Sequence, residues 1–234
     1  IFVKEKAPDL LQSELSNPRW KPEVIAIIGV TDAYQPVERK LKITRRCLEV
    51  LRDFRNPFVI ITKNFCVVRD IDILKDLAPI PACRVYLSIT SLDADLCGVL
   101  EPRTSRPARR LQAVAELSKA GIPVGVMVAP LIPGLNDHEV PEILKRACEA
   151  GAQWAGSVLL RLPGSVKDLF LGWLDKNLPE RKNKVLNRLR ELRGGKLSDS
   201  QFGSRMKGRG EWAKTYAQMF RQNCEKYGLN KQQI

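Results

Sequence analysis

Short apolar runs alternate with amphipathic segments along most of the chain. A strand that is buried on both faces gives a continuous apolar run, whereas a surface helix repeats its apolar positions about every three to four residues. Five runs predict strands, at residues 24–29, 58–62, 85–89, 124–128 and 157–160. Five amphipathic segments predict helices, at residues 7–15, 41–54, 71–78, 107–120 and 140–150. The pattern therefore predicts an α/β protein with a parallel sheet.

The same alternation predicts how the chain is divided. The series opens with a helix, whereas an alternating barrel normally opens with a strand. We therefore expect five strand–helix units of a partial barrel, with the first strand and its loop missing. After Pro163 the pattern changes to amphipathic helices at residues 167–174, 184–192 and 212–227. This predicts a partial barrel over residues 1–164 and a mainly helical extension over residues 165–234.

The positive charge is concentrated in the predicted extension. Of the net charge of +13, residues 165–234 contribute +9, from 16 Lys and Arg against 7 Asp and Glu. Such asymmetry favours a polyanionic partner, and nucleic-acid binding is one hypothesis. The commoner explanation is a solvated basic face, because leucines on the same helix could pack on the barrel. The segment contains Lys182, Lys184, Arg188, Arg190 and Arg193 beside Leu186, Leu189 and Leu192.

Composition and motif content argue against several other classes. No run approaches the roughly 18 apolar residues of a membrane span. None of the six cysteines is spaced as Cys-x2-Cys, and we interpret them as reduced core thiols of a cytoplasmic protein, with no metal site in this chain. The single histidine, His138, is more typical of a helix start than of a catalyst. Since no Gly-rich phosphate loop is present either, hydrolase, kinase and dehydrogenase hypotheses are weak.

Polar side chains or turn residues follow every predicted strand. In chain order they are Thr31 and Asp32, Thr62 and Lys63, Ser88 and Thr90, the Ala129-Pro130 turn, and Arg161. Because the carboxyl ends of parallel strands lie on one face of a barrel, these groups could share one pocket. A solvated turn at each strand end is the alternative interpretation.

Lys63 is the strongest of these candidates. It follows an apolar strand, so its ammonium group is partly desolvated and needs an anionic partner. A surface lysine at a strand end is the alternative. In the loop before the predicted helix at 107–120, Arg103 could hold a carboxylate in a bidentate fork, whereas a solvated position is favoured for Arg109.

Several stretches together resemble a known family. They are G-V-T-D-A-Y-Q-P-V-E, I-T-K-N, L-S-I-T, L-E-P-R-T and A-P-L-I-P-G-L-N-D. In order and content they resemble the radical S-adenosylmethionine enzymes, nearest to uncharacterised relatives of spore photoproduct lyase. The resemblance implies a partial (β/α)6-type barrel with a [4Fe–4S] cluster and S-adenosylmethionine at the carboxyl ends of the strands. It also implies a 5′-deoxyadenosyl radical that abstracts hydrogen from an unknown substrate, and an electron donor such as flavodoxin or ferredoxin.

The resemblance further implies roles for the strand-end residues. Thr31, Lys63 and Ser88 would contact S-adenosylmethionine, with the last two near its carboxylate and ribose. The Lys63 ammonium would pair with that carboxylate or with Asp32. Further cofactor contacts are assigned to Asp32 and Thr90, and to Ala129 and Pro130 beside the adenine. The candidate substrate-facing or mouth residues are Tyr34, Glu38, Arg103 and Arg161, and no catalytic residue is assigned.

Two departures from the family limit the implied chemistry. The Cys-x3-Cys-x2-Cys loop, whose thiolates bind three irons of the cluster, would lie upstream of Ile1 and is not in this chain. The sequence is therefore expected to be either a fragment of a longer enzyme or a cluster-less pseudoenzyme. The cysteine that donates hydrogen in spore photoproduct lyase has no counterpart near Gly29, so thymine-dimer repair is not expected.

Overall fold

Five parallel strands form the centre of the molecule. The computed structural model describes residues 3–28, 31–80, 82–199, 201 and 204–231. Within these residues the strands make one open sheet with the order β1-β2-β3-β4-β5. They are β1 (Ile25–Ile27), β2 (Phe58–Thr62), β3 (Cys83–Ser88), β4 (Val124–Leu131) and β5 (Trp154–Leu159). The predicted α/β partial barrel is confirmed, although β1 is shorter than predicted and residues 29 and 30 lie outside the described residues.

Helices surround the sheet and continue after its last strand. Those up to the last strand are α1 (Ala7–Leu15), α2 (Glu38–Leu41), α3 (Ile43–Asp53), α4 (Ile71–Leu77), α5 (Ala94–Leu100), α6 (Pro107–Lys119) and α7 (Val140–Glu149). Two 3-10 turns, Phe65–Asp70 and Asp137–Glu139, lead into α4 and α7. Three helices follow the sheet: α8 (Val166–Asn177), α9 (Pro179–Leu192) and α10 (Glu211–Lys226). The predicted helix at 41–54 is interrupted at Lys42, whose φ is 51°, and α5 was not predicted.

The two faces of the sheet have different environments. Phe58, Ile60 and Val85 are buried in one apolar core that also contains the inward side chains of α3, α4, α6 and α7. The alternating positions, such as Ile61 and Tyr86, are only half-buried. Because the register pairs Ile61 with Tyr86, these side chains lie on the same face, which is the inner face of the open barrel. The core therefore sits between the sheet and its outer helices.

Two glycines allow larger side chains to lie across the inner face. A Cβ atom at Gly125 would come within 2.5 Å of the Tyr86 ring, and one at Gly156 within 2.8 Å of the Met127 sulphur. Gly125 lies in β4, where a Cβ atom would also come within 2.8 Å of the Trp154 carbonyl oxygen, so close packing requires a glycine there. Gly156 lies in β5 against the flexible end of Met127, which could move aside.

The helices after the sheet pack in two places. Helices α8 and α9 join the loops that follow β4 and β5 in a second apolar cluster, which includes Ile132, Leu160, Phe170 and Leu189. Helix α10 packs against α7 and α9. None of the helices in the described residues is long and apolar enough to cross a membrane. The division of the chain at residue 164 stays a prediction.

Candidate active-site cleft

A cleft of about 370 Å³ lies where β1 and β2 end, which is within the size range of small-ligand pockets. It is lined by Thr31, Asp32, Tyr34, Gln35, Pro36, Lys63, Asn64, Arg103 and Thr104. Five of the predicted site residues therefore meet in one place: Thr31, Asp32, Tyr34, Lys63 and Arg103. Thr31 and Arg103 are exposed there.

Asp32 ties the loop after β1 to the end of β2. Its Oδ1 accepts hydrogen bonds from the Tyr34 N–H (2.8 Å) and the Thr62 hydroxyl (2.6 Å). Its Oδ2 accepts from the main-chain N–H of Lys63 (2.8 Å). The carboxylate thus fixes the floor of the cleft. The alternative that Asp32 pairs with the Lys63 ammonium is wrong, because the contact is with the backbone.

The ammonium of Lys63 has a different partner, Glu101. Lys63 Nζ lies 2.5 Å from Glu101 Oε2, and the two side chains are 25% and 8% exposed. The expectation that a lysine at this strand end needs an anion is therefore confirmed for the protein without ligand. Glu101 lies directly after α5, in the loop that leads to α6.

Glu101 is shared between two cations. Its second oxygen, Oε1, lies 2.5 Å from Arg110 Nη2. Burial of the carboxyl opposes its ionisation and is the largest single influence, but the charges and hydrogen bonds of Lys63 and Arg110 together outweigh it. The pKa of Glu101 accordingly lies below its ordinary value. At neutral pH this carboxylate is ionised and holds Lys63 at the edge of the cleft.

Arg110 is the most deeply buried charged group of the site, with no exposed surface. Besides Glu101, it donates to the carbonyls of Ser105 (2.6 Å) and Ser88 (2.9 Å) and to the Thr104 hydroxyl (2.5 Å). It therefore joins the end of β3 to the loop before α6.

The sequence contained a signal for Arg110 that the prediction did not use. The buried positions of α6 include Ala113, Val114 and Leu117, and Arg110 stands three, four and seven residues before them. An arginine on the apolar stripe of a helix is buried and therefore needs buried hydrogen-bond partners. Its position on this stripe thus predicts a structural role for Arg110. Its neighbour Arg109 is exposed and lies over the Phe65 ring, 3.6 Å from the centroid, as expected for the solvated side.

The ends of β3 and β4 are joined by buried polar groups. Ser88 is the last residue of β3, and the fully buried Thr90 lies just beyond it. The Thr90 hydroxyl is 3.0 Å from the Ala129 carbonyl oxygen and 3.2 Å from Glu101 Oε2. Thr90 therefore positions neighbouring strands rather than facing open space.

The segment Ala129-Pro130 lies inside β4 and does not form the predicted turn after it. The chain turns later, around the fully buried Asn136. The Asn136 side chain donates to the carbonyls of Thr90 (2.7 Å) and Pro130 (3.0 Å) and accepts from the Ile132 N–H (2.7 Å). Asn136 belongs to the P-L-I-P-G-L-N-D stretch, but the sequence alone did not single it out.

Of the predicted mouth residues Tyr34 and Glu38, only Tyr34 is among the residues that line the cleft, and both are buried. The side chain of Tyr34 is fully buried, and its hydroxyl donates to Asp70 at 3.1 Å. Glu38 is 5% exposed and accepts hydrogen bonds from the Thr44 N–H (3.1 Å) and from Arg69 Nη2 (3.0 Å). Both side chains support the loop after β1 from within the protein.

Arg161 lies apart from this cleft. It follows β5 at the other edge of the sheet and lines a separate cleft of about 220 Å³ with Ser198, Asp199 and Arg205. Of the five strand ends predicted to share one pocket, only those of β1 and β2 contribute residues to the cleft at Lys63. The predicted residues at the ends of β3 and β4 are not among those that line it, and Arg161 lines the other cleft. In an open sheet, the ends of the two edge strands are separated by the width of three intervening strands.

Several cations of α9 form ion pairs or hydrogen bonds with nearby side chains. Lys182 pairs with Asp175 (2.5 Å), Arg188 with Glu191 (2.8 Å), and Arg190 donates to Asn187 (3.1 Å). Arg193, predicted to belong to the same surface, is only 6% exposed and faces inward. Because the leucines of this helix are buried as well, most of its remaining cations form an ordinary solvated face.

The cysteines that the structure describes do not fit an iron–sulfur cluster. All six thiols are free, and no group of three or more His, Cys, Asp or Glu side chains within the described ranges could hold a metal ion. Burial raises the pKa of the thiols to about 11 at four positions, Cys47, Cys83, Cys97 and Cys224. Neutral, separated thiols are poor ligands for iron, which needs clustered thiolates.

Comparison with known proteins relates the sequence to one superfamily. The family model described as "Radical SAM superfamily" matches residues 7–147. An uncharacterised protein of Mycobacterium tuberculosis is 30% identical over 194 residues, covering 82% of this chain and 56% of that protein. An uncharacterised protein of Methanocaldococcus jannaschii is 32% identical over 139 residues, covering 59% of this chain and 50% of that protein. The chain thus spans about half the length of these curated relatives.

Solved structures of spore photoproduct lyase share the fold. One, in complex with dinucleoside spore photoproduct, superposes with a TM-score of 0.68 at 16% identity and covers 98% of this chain and 66% of that chain. Another is a double mutant of the same lyase with bound AdoMet and dinucleoside spore photoproduct, with a TM-score of 0.67 at 16% identity. At this identity the likeness concerns the fold.

Proposed function

The chain belongs to the radical S-adenosylmethionine superfamily, and on that premise we propose that the cleft at the ends of β1 and β2 binds the amino-acid end of S-adenosylmethionine. The observation that carries the proposal is Lys63, a cation held at the edge of this cleft by a buried carboxylate. A zwitterionic amino acid needs such a cation for its carboxylate and hydroxyls or carbonyls for its ammonium. Arg103 and Thr31 border the same cleft and could supply a second cation and a hydroxyl.

Lys63 can hold a ligand without giving up Glu101. Its ammonium has three N–H donors, and the structure gives one of them to Glu101. The remaining donors are available for a ligand carboxylate. Arg110 shares the charge of Glu101, so Glu101 does not fully neutralise Lys63. In this scheme Asp32 holds the floor of the cleft and makes no direct contact with the cofactor.

The rest of the cofactor would extend along the strand ends. We assign Ser88 to the neighbourhood of the ribose and the β4 segment Ala129-Pro130 to that of the adenine. Thr90 is given a positioning role, because it is fully buried between β3 and β4. The structure of spore photoproduct lyase with bound AdoMet supports a cofactor site in this fold.

A [4Fe–4S] cluster together with S-adenosylmethionine would supply radical chemistry for hydrogen abstraction, and this chain's part would be to hold and orient the cofactor through Lys63 and its neighbours. The thiols described above do not fit such a cluster. We therefore propose that its ligands lie upstream of Ile1 in a longer protein, which would receive its electron from a flavodoxin or a ferredoxin. The substrate is open, and the absence of a cysteine near Gly29 argues against the lyase's own reaction.

The proposal predicts that this chain binds S-adenosylmethionine without performing radical chemistry. Calorimetric titration under anaerobic conditions should show saturable binding of S-adenosylmethionine and weaker binding of its methyl ester, which lacks only the free carboxylate. A protein extended upstream to include the three-cysteine loop should in addition form 5′-deoxyadenosine after reduction. Binding without cleavage by the extended protein would indicate a pseudoenzyme. No binding by either protein would refute the cofactor site.

Nucleic-acid binding by the C-terminal third is a second candidate function, favoured by its charge of +9. All three helices of this third carry exposed cations, and Lys184 and Arg190 are two of those on α9. If they contact phosphates, the Lys184→Gln, Arg190→Gln double variant should weaken binding and reduce the slope of log affinity against log salt by about 2. Gel-shift titrations with single- and double-stranded DNA and with RNA measure this, and Arg46→Gln, Lys119→Gln is the charge-matched control. No binding at low salt would remove this role.

A further inference from the structure

A buried arginine stands at the end of β5, away from the proposed cofactor cleft. Arg193 is 6% exposed and lies at the end of α9. Its guanidinium donates to the main-chain carbonyls of Leu160 (2.5 Å) and Arg205 (3.5 Å). Its Nε has no hydrogen-bond partner among the described residues. The hydrogen bonds of this cation are thus to neutral carbonyl oxygens, and one of its N–H donors, at Nε, has no acceptor among the described residues.

Arg193 lines one of two adjoining clefts. One, of about 320 Å³, is lined by Arg193, Gly194, Lys196, Ser198, Asp199, Gln201 and Arg209. The other, of about 220 Å³, is lined by Arg161, Leu162, Pro163, Gly164, Ser198, Asp199 and Arg205. They share Ser198 and Asp199. Five cations and one carboxylate therefore border the pair of clefts within the part of the chain that is described.

The single carboxylate is largely engaged by its own loop. Asp199 accepts hydrogen bonds from the Gln201 N–H (2.8 Å) and the Ser204 hydroxyl (2.6 Å). These bonds lower the pKa of Asp199, so it is ionised and offsets one of the surrounding positive charges. The cluster keeps a marked excess of positive charge.

An excess of buried or half-buried guanidinium groups is costly without an anion. Removing a cation from water costs several kcal/mol unless an opposite charge and hydrogen bonds compensate it. The pKa of Arg193 is lowered, chiefly by burial. The negative charge of Asp199 raises this pKa, whereas the positive charge of Arg161 lowers it further. Guanidinium groups match the planar edges of oxyanions, and several of them together favour a phosphate over a single carboxylate.

We propose that these two clefts form a binding site for the phosphate group of a small ligand, with Arg193 as its buried base and Arg161 and Lys196 at its rim. The combined size leaves room for a small organic group beside the phosphate. The site is separate from the cleft at Lys63, which lies at the opposite edge of the sheet, and its existence does not depend on the proposed cofactor.

Phosphate titration of the chain tests this site directly. Inorganic phosphate at saturating concentration should raise the melting temperature by about 2–4 °C more than sodium chloride at equal ionic strength. Arg161→Gln and Lys196→Gln should each weaken phosphate binding about tenfold or more, because each removes a charge-assisted hydrogen bond. Neither side chain is part of the apolar core, so both variants are expected to fold. A small phosphate monoester bound more tightly than inorganic phosphate would indicate that the physiological ligand carries an organic group.

Matched controls separate a built site from general effects of salt. Arg46 and Lys119 are exposed cations on other parts of the surface, so Arg46→Gln and Lys119→Gln should leave phosphate binding unchanged. Phosphate also stabilises proteins by exclusion from their surface, and that effect should be equal in all five proteins. Equal stabilisation of the wild type, both rim variants and both controls would overturn the proposal.

Discussion

Replacement of Arg110 with methionine should destabilise the fold by about 3–5 kcal/mol, the range for removing one partner of a buried ion pair. The change leaves Glu101 in a protein interior with one cation instead of two. It also leaves the carbonyls of Ser88 and Ser105 without their donor. Methionine approximates the length of the arginine stem, so the effect reports lost charge and hydrogen bonds more than lost volume. Denaturant unfolding with both a secondary-structure and a tertiary probe measures it.

Arg109→Met is the matched control, because it makes the same substitution at the residue directly before Arg110. Arg109 is exposed and makes one side-chain hydrogen bond, to Gln112, so its loss should cost less than about 1 kcal/mol. The double variant Arg110→Met, Glu101→Gln should be more stable than the sum of the two single losses of stability predicts, because the neutral amide does not need a cation beside it. Equal losses for Arg109 and Arg110, or strict additivity, would contradict the buried network.

Lys63→Met should weaken binding of S-adenosylmethionine by about 1.5–3 kcal/mol, the usual range for a hydrogen bond to a charged group. Its effect on stability should be smaller than that of Arg110→Met. The Lys63 side chain is 25% exposed, and Arg110 still neutralises Glu101 after the substitution. Calorimetric titration measures the affinity, and a melting curve on the same samples measures the stability.

Lys75→Met serves as the control for Lys63, because Lys75 is exposed on α4. It should change neither affinity nor melting. A large loss of stability in Lys63→Met with unchanged affinity would mean that the lysine serves only the buried network. If both quantities were unchanged, Lys63 would be an ordinary surface lysine at the end of a strand.

The fold was predictable because no residue of the three central strands β2, β3 and β4 is exposed. The apolar runs at 58–62 and 85–89 therefore located β2 and β3 to within a few residues. The helix boundaries could not be predicted from the spacing of apolar residues alone. The break between α2 and α3 rests on the left-handed conformation of Lys42, a non-glycine residue, and α5 is a short helix that contains Gly98.

The site was predictable only where adjacent strands bring residues together. Asp32 and Lys63 follow neighbouring strands, so sheet topology alone predicts that they meet. The partner of the Lys63 ammonium could not be predicted in this way. Glu101 lies after α5, and its contact with the Lys63 ammonium depends on how the loop between α5 and α6 packs over β3.

The three hydrogen bonds accepted by Asp32 bear on the entropy of binding. They fix the loop that carries Thr31 and Tyr34 against the end of β2 before any ligand arrives. A ligand entering the cleft meets a floor that is already ordered, and little of its interaction energy is used to freeze the backbone. Selectivity in this cleft should therefore arise from rejection of misfitting shapes by a rigid surface rather than from closure around each ligand.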